Sequence, residues 1–590
     1  MDRISVIGLV VCIALYFALN YYLTTAYPQP KFNPAASASS AAATAPAPNG
    51  APPVITPAPN SAVAPAAAPA PVAPEQISYL ENDTIKVKLT SNGAAVEEIE
   101  LKQQKAHPSG HIVLNEQSRF NILTLGGWTG ADTATFQVAE NLPGSVTYST
   151  GLPNGLKWQR TYTLGADYAF DVKDSLTNST AADVVLPAYS LSVGRAEPLH
   201  DAGPSRSSYS NSQFLGAGFL AHEFHLVTVS YFNPGFIPLI GIMTHEGKDL
   251  ISSTTIENAP LHWLGVENQF FTVLLTPSAD RPIDHADIQC FNQRDSNGSV
   301  PTGVDPDIGA AAWFPGLTVP AGRSLTLDYG VYAGPKEYGR LNALGSQQGE
   351  IMNYGWCEPV ILLMLAGIRF WHGLVGSYGL SIILLTLTVK LITWPLVSIS
   401  NRTGKRMQAL APKLKEVQAK YKDQPEKVSA ETWSLYRDYG VNPLGGCLPA
   451  LVQAPIFISL YFMLQNLTEL RGQSFLWIHD LTQTDTVASI PFAGTHFTLN
   501  LLPILVTALS MIMMRMTPQI GDPAQAKIAQ YMPLMFLFIF YNFAAALSLY
   551  YVINNAVAIV QIYRNLKKPL PELKRVPRRK PGAAGTRPPA

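Results

Sequence analysis

The spacing of apolar residues changes character several times along this chain, and each change predicts a different kind of element. Residues 4–23 form an uncharged apolar run of about 20 residues, long enough for one bilayer-crossing helix, with Arg3 before it. From residue 75 to about 335 the apolar positions recur at every second residue in short stretches, as in Ile85-Lys86-Val87-Lys88-Leu89 and Ala169-Phe170-Asp171-Val172. Turn residues such as Thr90-Ser91-Asn92-Gly93 separate them, which predicts an antiparallel β-sandwich over 75–335. Long windows nearly free of charge return after Tyr378 and predict spans at 378–397, 448–467, 499–514, 528–543 and 547–563. The last two come from one charge-free stretch, 528–563. As a single helix it would run about 54 Å at ~1.5 Å per residue, far beyond a ~30 Å hydrocarbon core, so a turn is placed near 542–546.

Two further segments are helical without spanning. The apolar run 360–368 is too short to cross, and Arg369 and His372 follow it. With Trp356 and Trp371 suited to the headgroup level, the segment 336–376 reads as a connection ending in an amphipathic helix on the membrane surface. Between the first two core spans, Met407, Leu410, Leu414, Val417 and Tyr421 recur at three- and four-residue intervals. Lys422-Asp423-Gln424-Pro425 interrupts the stripe, and Val428, Leu435, Tyr436 and Tyr439 continue it, giving a helical hairpin over 398–442.

Composition and charge set the orientation. The chain has 41 basic and 41 acidic residues, and zero net charge argues against a nucleic-acid partner. Residues 28–74 are rich in Ala and Pro and nearly uncharged, an extended tether without a core. The first run could instead be a cleaved signal, but Thr24-Thr25-Ala26 is a poor cleavage site, and Val11 is too large before Cys12 for a lipoprotein signal. Residues 1–27 therefore read as a retained anchor. The hairpin carries Arg402, Lys405, Arg406, Lys413, Lys415, Lys420, Lys422, Lys427 and Arg437, and the tail 565–590 is equally basic. The positive-inside rule makes both cytoplasmic, and six spans place both termini on that side and the β-domain outside. Cys12, Cys290, Cys357 and Cys447 have no disulfide, zinc or redox spacing.

Several local motifs resemble one family. Tyr332-Ala333-Gly334-Pro335-Lys336 resembles the end of the periplasmic domain of YidC proteins. Asn442-Pro443-Leu444-Gly445-Gly446-Cys447-Leu448-Pro449, followed by Gln453-Ala454-Pro455-Ile456-Phe457, resembles the family's third-span signature. Leu460-Tyr461, Glu469-Leu470-Arg471, Leu476-Trp477-Ile478-His479-Asp480-Leu481 and Leu549-Tyr550-Tyr551-Val552 continue the match, and Trp263-Leu264-Gly265 and Gln269-Phe270-Phe271 extend it more weakly upstream. Phe543-Ala544-Ala545-Ala546-Leu547 departs from the family by lacking a Pro-Ser-Gly break, and 489–500 is longer than usual. The resemblance implies a polytopic α-helical membrane protein with six transmembrane helices, five of them forming an insertase core over 377–564, an all-β periplasmic β-sandwich domain and a cytoplasmic helical hairpin. It implies a bacterial inner-membrane insertase and chaperone without cofactor or metal. Its partners would be nascent membrane proteins, Sec translocon components, ribosomes or targeting factors at the hairpin and tail, and the lipid bilayer.

Lys390 is the sharpest candidate. It stands in an otherwise uncharged span, about eight residues or ~12 Å from the cytoplasmic end. Its stem could snorkel to the interface. The functional reading puts it on a wet cavity, where intramembrane charges usually lie. The family carries a positive residue there, usually arginine; lysine keeps the charge and gives up the bidentate fork. Thr386 precedes it by one turn on the same face. Gln453, Tyr550, Tyr551 and Asn554 are further candidates for a substrate groove, set against the plainer reading that such groups bond neighbouring helices. By resemblance Thr386 and Tyr551 match substrate-contacting positions.

Two other classes compete. A secondary transporter or channel would show paired intramembrane charges or inverted halves. The spans hold one lysine and no inverted repeat. An enzyme would need a constellation such as His222-Glu223-Phe224-His225, but this is not His-Glu-x-x-His, reads as a loop and lacks a partner.

Overall fold

The computed structural model describes residues 74–575 apart from 107–109, 117–119, 132–133, 200–213, 230–234, 238–241, 246–250, 257–259, 292–306, 423, 442–447, 493–494, 518–530, 535–536, 538–539 and 574. The N-terminal anchor, nearly all of the Ala/Pro tether, the Asn442–Cys447 part of the third-span signature and most of the basic tail lie outside the described residues. The chain divides at Asn353/Tyr354 into two compact units.

The described residues of the first unit are mostly β-strand, with helix at its end. A nine-stranded antiparallel sheet runs, edge to edge, through Phe224–Thr228, Gly216–Leu220, Trp263–Glu267, Phe271–Pro277, Ser324–Pro335, Ala169–Asn178, Leu156–Leu164, Ser145–Gly151 and Gln137–Leu142. A five-stranded sheet, Ile251–Ile256, His285–Phe291, Asp307–Phe314, Tyr189–Ala196 and Leu125–Gly126, packs against it. Leu156–Leu164 and Ala169–Asn178 show the alternation of one buried and one wet face. Trp263–Glu267 is buried at every position. The core is aromatic: Tyr189 and Tyr329 join hydroxyls at 2.8 Å, and Trp158 meets Trp128 and Phe136 edge-on. Arg160, fully buried, forms a fork to Asp174 at 2.7 and 2.8 Å and donates to the Leu123 carbonyl at 2.7 Å.

The motif 332–336 closes this unit for local reasons. A Cβ on Gly334 would stand 2.6 Å from the Tyr168 ring, so only glycine fits there. Tyr332 donates to the Pro335 carbonyl at 2.7 Å, and buried Lys336 pairs with buried Glu267 at 3.1 Å. The unit continues beyond residue 335 through α1, Tyr338–Ala343, and a 3₁₀ turn, Gln348–Met352. Trp263 donates to the Ser346 carbonyl and Gln348 to Thr276, which fastens this segment to the sheet. The tract His222–His225 does not form a loop throughout. His222 and Glu223 turn, while Phe224 and His225 open a strand paired with Gly216–Leu220. Among the described residues no group of three His, Cys, Asp or Glu side chains is placed to hold a metal ion.

The second unit is helical: α2 (Glu358–Val375), α3 (Tyr378–Lys420), α4 (Pro425–Asp438), α5 (Leu448–Asn466), α6 (Leu501–Met516) and α7 (Ala545–Leu566). Gly355–Val375, Tyr378–Pro395 and Ala545–Leu566 are long and apolar enough to cross a membrane, and α6 is a shorter apolar helix. Helix α2 is therefore longer than its 360–368 apolar run. Helix α3 does not stop at Val397. It continues through Pro395 and Pro412 to Lys420, where α4 folds back on it. Leu410, Leu414, Tyr439 and Val441 make a small core between them, with Met407, Leu435, Tyr436 and Leu573 against it. Before α6 the chain forms a hairpin of Thr486–Phe492 and Thr495–Asn500, so Leu499 lies within a strand and the helix starts two residues later. Turn residues 541–544 precede α7.

Candidate functional site

Helix α3 shows how an apolar helix carries polar groups. Thr386 donates to the Ile382 carbonyl at 2.6 Å, and Thr388, Thr393 and Ser398 donate in the same way to the carbonyls four residues earlier. Each hydroxyl is thus satisfied within its own helix and can face an apolar neighbour. Lys390 has no such recourse. It is 9% exposed, and no carboxylate pairs with it among the described residues. Leu391 and Ile392, the next residues, are each 72% exposed, so α3 presents one open greasy face and turns its ammonium the other way.

The remaining candidates fall into two groups on α7, which packs against α3, α5 and α6. Buried Tyr550 accepts a 3.0 Å hydrogen bond from Gln453 of α5. Tyr551 is half-buried among rings, 4.5 Å from Phe540, 5.4 Å from Phe457 and 5.4 Å from Tyr550. One turn on, Asn555 donates to Ser510 of α6 at 2.9 Å. Asn554 reaches Asn555 at 3.5 Å, and its own carbonyl oxygen is buried without a partner among the described residues. Gln453, Tyr550 and Tyr551 thus come together, Asn554 joins an asparagine pair toward α6, and Thr386 stays within α3. No hydrogen bond or ion pair among the described residues ties Lys390 to the other five.

One set of residues entered the sequence reading only as part of the resemblance, with no role attached. The stretch 467–485 covers the N-terminal ends of α6 and α7 and takes up backbone donors that a helix start leaves free. The Gln483 carbonyl accepts from Ala545 N–H at 2.6 Å and the Leu481 carbonyl from Ala546 N–H at 2.9 Å. Asp485 accepts from Leu502 N–H at 2.6 Å and from the Trp477 indole at 3.4 Å. Burial pushes the Asp485 carboxyl up, and the Leu502 amide opposes this. Asn500 ties the ends together by donating to the Tyr541 carbonyl at 2.7 Å. The Leu476–Leu481 motif was visible as a resemblance, but its capping role depends on contacts across 17 and more residues. Toward the C-terminal end of α7 and in the middle of α3, past its apolar part, the side chains are basic: Arg402, Lys405, Arg406, Arg564 and Lys568 line one cleft.

A unit of apolar helices, stoppered by a polar loop at one end and basic at the other, carried in one chain with a large β-sandwich, defines a polytopic membrane protein with an extramembrane domain. Its relatives say which one. The family model described as 60Kd inner membrane protein matches residues 370–569, and that of the YidC periplasmic domain matches residues 79–365. The membrane protein insertase YidC of Janthinobacterium sp. (strain Marseille) is 31% identical over 422 residues, 70% of this chain and 68% of that protein. The YidC of Cupriavidus taiwanensis is 30% identical over 499 residues, 81% of this chain and 80% of that one. A crystal structure of an active YidC insertase with its first transmembrane domain resolved is 18% identical, covers 83% of this chain and 95% of that chain, and gives a TM-score of 0.32. The chain belongs to the YidC family of membrane protein insertases, a family of the inner membrane that works without catalysing a reaction.

Proposed function

We propose that this insertase guides nascent membrane proteins into the bilayer through a hydrophilic groove that carries Lys390 and opens toward the cytoplasm and the lipid. The observation that carries the reading is the Lys390 ammonium, 9% exposed, unpaired with any acid among the described residues, on a helix whose other face is open and apolar. A lysine at the centre of a membrane helix costs roughly 2.5–3.5 kcal/mol, which favours hydration in a cavity over dry burial. A cationic hollow of this kind attracts acidic residues in the part of a substrate that must cross. The substrate's hydrophobic segment then leaves along the apolar face into lipid, driven by roughly 25 cal/mol for each Å² buried. Thr386, Gln453, Tyr550, Tyr551 and Asn554 line the route in this reading.

The topology in this reading has six spans, 4–23 and the five core spans, with both termini and the α3–α4 hairpin cytoplasmic. Helix α2 lies on the outer membrane surface. Its support is Arg369, which bonds Glu469 at 2.6 Å and holds a charge pair beside the stopper loop. The hairpin and basic tail receive ribosomes or targeting factors, and the groove serves substrates either alone or alongside the Sec translocon. Photocrosslinkers placed at 386, 390 and 551 are expected to capture a stalled nascent membrane protein, whereas one at lipid-facing 391 captures it weakly. Equal capture from all four positions, or capture from 391 alone, would remove the groove from the account.

A further inference from the structure

Where the C-terminal end of α7 meets the middle of α3, their side chains enclose a cleft of about 380 Å³, within the size range of small-ligand sites. Five cations line it: Arg402, Lys405 and Arg406 from α3, Arg564 and Lys568 from α7 and the segment after it. Among the described residues no acidic residue lines the cleft and none of the five cations forms an ion pair. Two are held in place without being neutralised. Lys405 donates to the Lys568 carbonyl, and the Arg564 guanidinium stands 5.8 Å from the Trp394 ring centroid. Like charges gathered this closely repel one another, and the negative end of α7, about half an elementary charge, offsets only a fraction of that.

A second observation lies deeper in the same cleft. Gln561 of α7 is 7% exposed, and its side-chain amide nitrogen is buried with no acceptor among the described residues. A buried donor left unmade is costly, by about 1–3 kcal/mol. The cleft therefore presents a neutral donor behind a ring of cations, a set that suits an anion carrying several acceptor oxygens.

The flanks decide which anion. Val560, Tyr563 and Leu566 on α7, and Leu391 and Ile392 on α3, are exposed apolar side chains leading up to the cleft. Val560 lies about 6 Å along the axis from Arg564, at 1.5 Å per residue. A soluble acidic peptide would use the cations and leave this apolar approach bare. A phospholipid would use both, with acyl chains along the exposed face and phosphate among the cations. We propose that the cleft between the middle of α3 and the C-terminal end of α7 is a binding site for the phosphate headgroup of an anionic phospholipid. The inference uses the membrane reading of these helices and does not depend on the role assigned to Lys390.

The test is lipid retention by the full-length protein. Purified chain in detergent is titrated with phosphatidylglycerol, and bound lipid is counted by native mass spectrometry. Parallel arms use phosphatidylcholine, inorganic phosphate and a glutamate-rich peptide. Phosphatidylglycerol is expected to bind about tenfold or more tightly than phosphatidylcholine, and Lys405→Gln/Arg564→Gln to lose that preference. Lys405→Arg/Arg564→Lys, which keeps the charges, should retain it. So should Lys415→Gln/Lys420→Gln, which removes the same net charge outside the cleft. Retention unchanged in Lys405→Gln/Arg564→Gln would overturn the site. Binding of phosphate or the acidic peptide as tight as that of the lipid would overturn the lipid as its occupant.

Discussion

Lys336 and Glu267 show how much one side-chain pair can decide. Both are almost fully buried and face each other at 3.1 Å where the last strand leaves the β-sandwich. Removing the lysine alone leaves a carboxylate in an apolar site, so Lys336→Met is expected to destabilise this unit by about 3–5 kcal/mol, read as a large drop in its melting temperature. Burial raises the Glu267 carboxyl above its ordinary 4.5, against the pull of Lys336. An acid raised in the folded state adds stability below its unfolded pKa and gives that stability up as the pH rises through the folded one. Between about pH 4 and neutrality the wild type should therefore lose stability relative to Glu267→Gln. A melting-temperature gap that stays constant over this range would contradict the assignment. From sequence, Lys336 was visible only as the end of a familiar motif. Its partner 69 residues upstream could not be seen, because nothing local in Trp263–Glu267 marks Glu267 as buried.

Among the elements, the stopper loop and the start of α3 meet most tightly. A Cβ on Gly379 would lie 2.1 Å from the Phe475 ring, so the approach of the loop to the helix requires glycine. Gly379→Ala is expected to cost about 1–3 kcal/mol and to loosen the cover over α6 and α7. Thermal unfolding in detergent and protease nicking within 467–485 would register this, and unchanged behaviour in both would show that the loop is not held there. Sequence reading reached different elements to different depths. Strands with one wet face, such as Leu156–Leu164, alternate and were legible. Trp263–Glu267 has no such period because both of its faces are covered. The hairpin Thr486–Asn500 hid behind Pro491 and a weak alternation, and registered only as extra length before a span. Hydropathy marked where α3 leaves the apolar region and could not mark where it stops being a helix, since lysine, arginine and glutamine sustain helices well.

At the scale of the whole chain, the division into a β unit and a helical unit follows from the shift in hydrophobic spacing, and the family confirms a β-sandwich joined to apolar helices. The assembly of the candidate site was less legible. Gln453 bonds Tyr550 across 97 residues and Asn555 bonds Ser510 across 45, pairings set by helix packing and not by spacing. Lys390 stood out because a charge in an apolar run is costly wherever the run folds. The account rests on that ammonium acting on substrate charge, and the most direct measurement is insertion by Lys390→Ala and Lys390→Arg of one substrate bearing either an acidic or a neutral translocated tail. The predicted result is a loss of about tenfold, the equivalent of ~1.4 kcal/mol, for the acidic tail with alanine, recovery with arginine, and no change for the neutral tail. Equal insertion of the acidic-tailed substrate by both variants would contradict it.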